Sequence, residues 1–351
     1  MSMLKQSRIL AHRFKGQALK ASAWPQLMRN GLMYSMMQIT GRDFHPSKPL
    51  VLMVEPSSRC NLSCPLCATG AGEIKRDPSE MDFDLFKKMI DAYSSHIIYI
   101  LLFNQGEPFL NRDFLNFASY SHDQGIYTIT STNGHYIRNE DEAGEIIRSG
   151  LDEIIISLDG LTADTYSKYR IGGDFNRVIA GIRNLVQVKE RLKSFTPIIE
   201  LQMLLTAHTE AQLPQVREFG KRLGVDIVSV KTLQLLDTER DLGFLPRGKE
   251  LRRYENEGEK LRVSGSRRNR CGRLYYSMNI NSDGSIVPCC FDKKGKYVFG
   301  NIANGGIIEA WTGDKFRAFR KRILQNRTAI NICTNCNEGS DHIYFGKWYI
   351  S

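Results

Sequence analysis

No stretch of this 351-residue sequence reaches the roughly 18 uncharged apolar residues that a membrane-spanning helix needs, so no spanning helix is expected. A secretory h-region is missing too, because Lys5, Arg8, Arg13 and Lys15 interrupt every apolar stretch near the N-terminus. A cytoplasmic location follows as the expectation, with contact at the cytoplasmic membrane face open to the N-terminal segment. Internal repeats, low-complexity tracts and RNA-binding signatures with stacking aromatics are absent, which argues against a nucleic-acid partner. Between residues 68 and 270 there is no cysteine at all, so the eight present fall into two groups.

Positive charge is also scarce where a nucleic-acid groove would need it. Of the formal +10, residues 1–48 carry +7 through Lys5, Arg8, Arg13, Lys15, Lys20, Arg29, Arg42 and Lys48 against Asp43 alone, and the rest of the chain only +3. The excess is a basic leader on a nearly balanced body, which suits an anionic partner for the leader. Ile9, Leu10, Phe14, Leu19, Trp24, Leu27, Met28, Leu32 and Met33 make that leader amphipathic. Two readings stand: an interfacial helix on anionic lipid, or a helix packed on the open side of the body. With 42% apolar and 25% charged residues the body reads as one large and one small water-soluble unit.

From residue 50 short β-rich runs alternate with amphipathic stretches. Strands are predicted at 50–56, 97–104, 127–132, 153–158, 198–206 and 226–232. Helices are predicted at 82–95, with Asp82 as N-cap, and at 112–124, 139–149, 174–193 and 209–223. The α/β alternation over 49–238 implies parallel pairing through right-handed crossovers, in an open sheet or a partial barrel. Either gathers ligands beyond the C-terminal strand ends. Residues 239–268, dense in both signs of charge, read as a solvated linker. In the unit at 269–351, a hairpin around Asp283-Gly284 delivers Cys289 and Cys290.

Thiols at short spacing in a non-secreted chain are read as metal ligands rather than disulfides. The first three, in 60-CNLSCPLC-67, share one loop after the first strand. Three thiolates can hold three irons of a [4Fe-4S] cubane and leave the fourth iron open, whereas zinc, the alternative, closes with four ligands. Cys271, Cys289, Cys333 and Cys336 suffice for a fully ligated [4Fe-4S] cluster or a structural zinc, and Cys290 is left over as a buried thiol.

The C-x3-C-x2-C spacing after a first strand resembles the radical S-adenosylmethionine (SAM) superfamily, whose fold is a partial (β/α)6 barrel. The segment 104-NQGEP-108 is similar to that family's Gly-Gly-Glu motif, with Gln105 at the first glycine, and 157-SLDG-160 with Arg170 is similar to its fourth-strand segment. The resemblance implies that Cys60, Cys64 and Cys67 hold a catalytic cluster and that the backbone of Gln105, Gly106 and Glu107 receives the methionyl amino group. It further implies that Asn133, Ser157, Asp159 and Arg170 line the rest of SAM. Leu66, where many relatives place an aromatic, would cover the adenine. The run 271-CGRLYYSMNINSDGSIVPCC-290, the 300-GNI-302 turn, Trp311 and 333-CTNC-336 resemble a SPASM/twitch domain, a small cysteine-rich unit with a β-hairpin and a helix. That implies a second, auxiliary [4Fe-4S] cluster on Cys271, Cys289, Cys333 and Cys336.

For activity, the resemblance implies that a one-electron reductant such as flavodoxin or ferredoxin drives cleavage of SAM to a 5′-deoxyadenosyl radical, which abstracts a hydrogen atom from substrate. A single auxiliary cluster suits a net oxidation, so dehydrogenation of a small polyol or sugar-like molecule is the first expectation. Peptide maturation stands second, since the leader is short for a peptide-binding winged domain and the cysteines are few for a sulfatase-type maturase. A lipid substrate is third. Lys231, closing the sixth strand, is the candidate proton acceptor. A zinc-stabilised binding protein is the non-enzyme rival.

Overall fold

A computed structural model describes residues 2–18, 21–237, 239–258, 260–265, 268–339 and 345–350; Leu19 and Lys20 of the leader lie outside them. Six strands, β1 (Val51–Val54), β2 (Tyr99–Leu101), β3 (Tyr127–Thr132), β4 (Glu153–Ser157), β5 (Ile198–Leu205) and β6 (Ile227–Thr232), pair in parallel in chain order. A doubly wound sheet reverses its order at a switch point. This one does not, so right-handed crossovers put the helices on one face and the sheet curls into a partial barrel. β6 pairs with β5 and not with β1, which leaves the barrel open along that side.

The leader forms α1 (Ser2–Ala18) and α2 (Trp24–Thr40), and α3 (Phe83–Tyr93), α4 (Phe114–Asp123), α5 (Glu140–Arg148), α6 (Ala163–Ser167), α7 (Phe175–Arg191) and α8 (Val216–Leu223) follow. Asp82 caps α3 as expected, accepting from the Leu85 amide at 2.8 Å. Strand residues turned to the helices, such as Leu52, Ile100, Ile156, Met203 and Val230, are buried with Phe86, Phe117, Ile146 and Ile182 in one core. The opposite face, with Met53, Leu101, Ser131, Ser157, Gln202, Leu204 and Lys231, stays partly accessible towards the C-terminal strand ends. Register places Ser157 beside Gln202, Gln202 beside Ser229 and Leu204 beside Lys231, all on this lumen face.

The predicted solvated linker is not one. Within 239–268 the chain forms the antiparallel hairpin β7 (Tyr254–Glu257) and β8 (Lys260–Val263), with Glu255 paired across it to Arg262 at 2.8 Å. Leu245, Tyr254 and Val263 are buried against Leu62, Leu66 and Tyr169 beside the first cysteine loop. Opposite charges on facing strands had the composition of a linker and the pairing of a ribbon.

The C-terminal unit adds α9 (Arg273–Tyr276), β9 (Ser277–Ile280), β10 (Ser285–Val287), β11 (Gly300–Asn301), α10 (Ile307–Thr312), α11 (Asp314–Asn326), α12 (Asn331–Thr334) and β12 (Phe345–Tyr349). The expected hairpin is β9–β10, and the fully buried Trp311 packs on Phe316. β9 also pairs in parallel with β1, and β12 antiparallel with β6, so both flanks of the barrel are continued by the C-terminal unit.

Among the described residues no helix is long and apolar enough to cross a membrane. α1 lies under the barrel floor and not on its open side: Ile9 packs on Ile198 and Ile227, and Lys5, His12 and Arg13 pair with Asp226, Asp152 and Glu153 at the strand starts. Part of the leader's basic charge, read as meant for an outside anion, is thus neutralised within the chain. Burial alone would raise the Asp226 carboxyl, but Lys189 at 2.6 Å and Lys5 at 3.0 Å outweigh it and hold the group below its usual range. A depressed carboxyl stabilises the fold above its unfolded value of about 4 and loses that contribution as pH falls through the folded value. The protection of the α1 amides relative to their intrinsic exchange rates should therefore fall below about pH 4. Asp226→Asn should reproduce the effect at pH 7, at a cost on the order of 2 kcal/mol; unchanged protection in both would refute the anchor.

Candidate functional site

The chain leaves β1 at Val54 and enters the cysteine loop through Glu55, a fully buried carboxylate. Glu55 accepts from Arg76 Nη2 at 2.6 and 2.7 Å, from the Gln105 amide at 3.2 Å and from Ser282 Oγ at 2.8 Å, tying the loop to the β2 exit and the C-terminal hairpin. Gly70 closes the loop, since a Cβ there would stand 2.5 Å from the Cys64 amide nitrogen. Burial pushes the Cys64 thiol up to about 11 and raises Cys60 as well. Donors nonetheless converge on both sulfurs: Arg170 Nη1 lies 3.8 Å from Cys64 Sγ, and the Leu62 amide and Asn133 Nδ2 lie 3.4 and 3.9 Å from Cys60 Sγ. Buried thiols surrounded by N–H donors suit ligands that lose their protons when metal binds.

At the β2 exit Gly106 has φ 72°, and a Cβ there would stand 2.2 Å from the Ser57 carbonyl oxygen, so only glycine lets this turn touch the loop. Its amide donates to Thr69 Oγ1 at 3.2 Å. Glu107 accepts from Thr132 Oγ1 at 2.7 Å and the Asn133 amide at 2.8 Å, so it links the β2 and β3 exits through buried bonds. The side-chain amide of Asn104 and Gln105 Oε1 are buried without partners, orphans of the kind a bound polar ligand satisfies. Asp159, 1% exposed, accepts from the Leu204 amide at 2.8 Å and from Arg170 Nε at 2.7 Å, and so fixes the guanidinium beside Cys64. Ser157 stands on the lumen face one turn of the strand below. Leu66 is 4% exposed and packed with Leu62 and Tyr169.

The second set gathers around α9 and the β10 exit. Burial raises Cys271 to about 12 and lifts Cys289 and Cys290 too. Arg327, 2% exposed, donates from Nη2 to Cys336 Sγ at 3.3 Å and from Nη1 to the carbonyls of Arg270 and Glu338. Arg273 Nη1 lies 3.9 Å from Cys290 Sγ, so the leftover thiol is within the same charged surroundings. Among the described residues no three His, Cys, Asp or Glu side chains stand close enough to chelate one ion.

Lys231 faces the lumen, and burial lowers its pKa from the usual lysine range. Sequence reasoning missed Glu55, Asn104, Thr69 and Arg327. Glu55 alone left a signal, as an acid abutting an apolar strand just before the cysteines.

Residues 54–201 match the model of the radical SAM superfamily, and residues 271–337 that of SPASM, an iron–sulfur cluster-binding domain. The chain is 25% identical over 314 residues to the tungsten-containing aldehyde ferredoxin oxidoreductase cofactor-modifying protein of Pyrococcus furiosus, covering 82% of this chain and 86% of that one. It is 24% identical over 309 residues to the mycofactocin maturase MftC of Mycobacterium tuberculosis, covering 82% and 75%. Among solved structures, Streptococcus suis SuiB bound to S-adenosylmethionine superposes with a TM-score of 0.62 at 16% identity, over 87% of this chain and 75% of that one, a likeness of fold.

Proposed function

This chain belongs to the radical SAM superfamily and carries a C-terminal SPASM domain, and from that premise we propose that it is a peptide-modifying enzyme. Its cofactors are SAM, a catalytic [4Fe-4S] cluster and an auxiliary iron–sulfur cluster. When bound, they supply a 5′-deoxyadenosyl radical that can take a hydrogen atom from an unactivated C–H bond.

Cys60, Cys64 and Cys67 are the proposed holders of the catalytic cluster, and Cys271, Cys289, Cys333 and Cys336 of the auxiliary one. Arg170 and Asn133 would offset the charge of the first set, and Arg327 that of the second. Asn104 and Gln105 would offer SAM unsatisfied polar groups at the β2 exit. Asp159 holds the Arg170 guanidinium in one orientation before any ligand arrives, so little ordering remains to be done on binding.

Kinship along four-fifths of the chain with the mycofactocin maturase, together with that to a peptide cyclase, carries the peptide reading. A PqqA peptide cyclase is similar over 69% of the chain at 24% identity. The same kinship supports this reading better than the polyol dehydrogenation that a single auxiliary set suggested. The test supplies reconstituted protein, SAM and dithionite with perdeuterated peptides from a bacterial protein digest, or with perdeuterated inositol and glycerol, and weighs the 5′-deoxyadenosine formed. Deuterium should enter it from the peptides and not from the polyols; the reverse pattern, or no transfer from peptides, would overturn the reading.

A further inference from the structure

Three cations converge where β6 ends. Lys231 is the last lumen-facing residue of the strand, Arg253 Nη2 donates to the Thr232 carbonyl at 3.2 Å, and Lys293 Nζ donates to Gln234 Oε1 at 3.2 Å. Lys231 and Lys293 both lie within electrostatic reach of Arg253 and of Cys290, and Lys293 also of Cys67, so the group stands between the two cysteine sets. A cavity of about 250 Å³, lined in part by Glu73, Gln234, Asp292, Lys293, Lys294 and Asn335, reaches Lys293.

The neighbouring carboxylates are already engaged. Glu200 pairs with Lys347 at 2.8 Å and accepts from Ser229; Glu73 pairs with Lys294 at 3.1 Å and Arg240 at 3.4 Å; Asp292 accepts from the amides of Lys296 and Tyr297. Among the described residues none of the three cations has a carboxylate within ion-pair distance, and Arg253 Nε is buried with no partner. Half-buried cations without counter-charge are costly, and a site with a low dielectric makes an arriving anion bind more strongly than it would in water.

We propose that Lys231, Arg253 and Lys293 form a carboxylate-binding subsite, so that the peptide held in the lumen presents an acidic side chain or a free C-terminus there. Charge-assisted hydrogen bonds from three converging donors would fix the segment and set which C–H bond meets the radical. The inference rests on the peptide reading above and deepens it by naming a chemical feature of the substrate.

The experiment follows proton line broadening of small probes by the anaerobically reconstituted protein with SAM. N-acetylglutamate α-amide reports a side-chain carboxylate, N-acetylalanine a terminal one, and N-acetylglutamine amide is the neutral control. At least one acid should be broadened saturably and the control not, and the stronger of the two acids identifies the source. Lys293→Met should weaken that binding at least about tenfold, and Lys293→Arg should retain it. Equal broadening of acids and control, or unaltered binding in Lys293→Met, would overturn the subsite and leave the cations as counter-charge for the clusters. Iron content and unprompted SAM cleavage are measured alongside. If those fail, the radical SAM reading fails; if they hold and only the probes fail, the subsite alone is lost.

Discussion

A Cys64→Ala chain reconstituted under anaerobic conditions should bind about four irons where the parent binds about eight, the content of two [4Fe-4S] clusters, and should release no 5′-deoxyadenosine above the protein-free background. Cys64 is 4% exposed, is closed in by Gly70, and has Arg170 on its sulfur at 3.8 Å. With two thiolates left, the loop can no longer ligate three irons of a cubane. Cys290→Ala, by contrast, should keep the full iron complement, because four other thiols remain in the C-terminal unit. Iron and sulfide analysis with chromatography of the nucleoside checks both. Full iron and undiminished cleavage in Cys64→Ala would refute the assignment of the trio, and stoichiometric zinc in the parent would refute the clusters.

Arg170→Met should be nearly as damaging by a different route. It strands Asp159, 1% exposed, with the Leu204 amide as its remaining close donor, and breaking a buried pair in this way costs about 3–5 kcal/mol. It also removes the guanidinium from beside Cys64. Asp159→Leu with Arg170→Met removes both charges and should recover part of the stability without restoring SAM binding. Thermal unfolding read beside SAM affinity therefore separates the two roles. If the double variant binds SAM like the parent, Arg170 is only structural.

Most of the barrel was legible because strands buried on the helix side leave strong apolar runs: β3 was read at its observed limits, and the other five to within two residues at most ends. The cysteine sets are legible through their spacing, and Asp159 and Arg170 through the family resemblance of their segment. The flanking pairs were not. Nothing in 277–280 or 345–349 says which strand each will join, since periodicity records a face and not a partner. The β7–β8 hairpin is concealed by its own charges. Lys231 was noticed alone; its companions Arg253 and Lys293 lie about twenty and sixty residues further on, a separation across which no local pattern connects them.

An open parallel sheet has two raw edges, each a row of unpaired amides and carbonyls that invites pairing with another chain. Here β9 occupies the edge at β1 and β12 the edge at β6. A chain cut after residue 238 would thus lose more than its second set of cysteines, because both margins of the barrel would be exposed together. Such a fragment should self-associate even with its first cluster intact, and its inactivity would say nothing about the chemistry of the part removed. Point substitution at single thiols, which leaves both margins covered, is the way to ask what the auxiliary centre does.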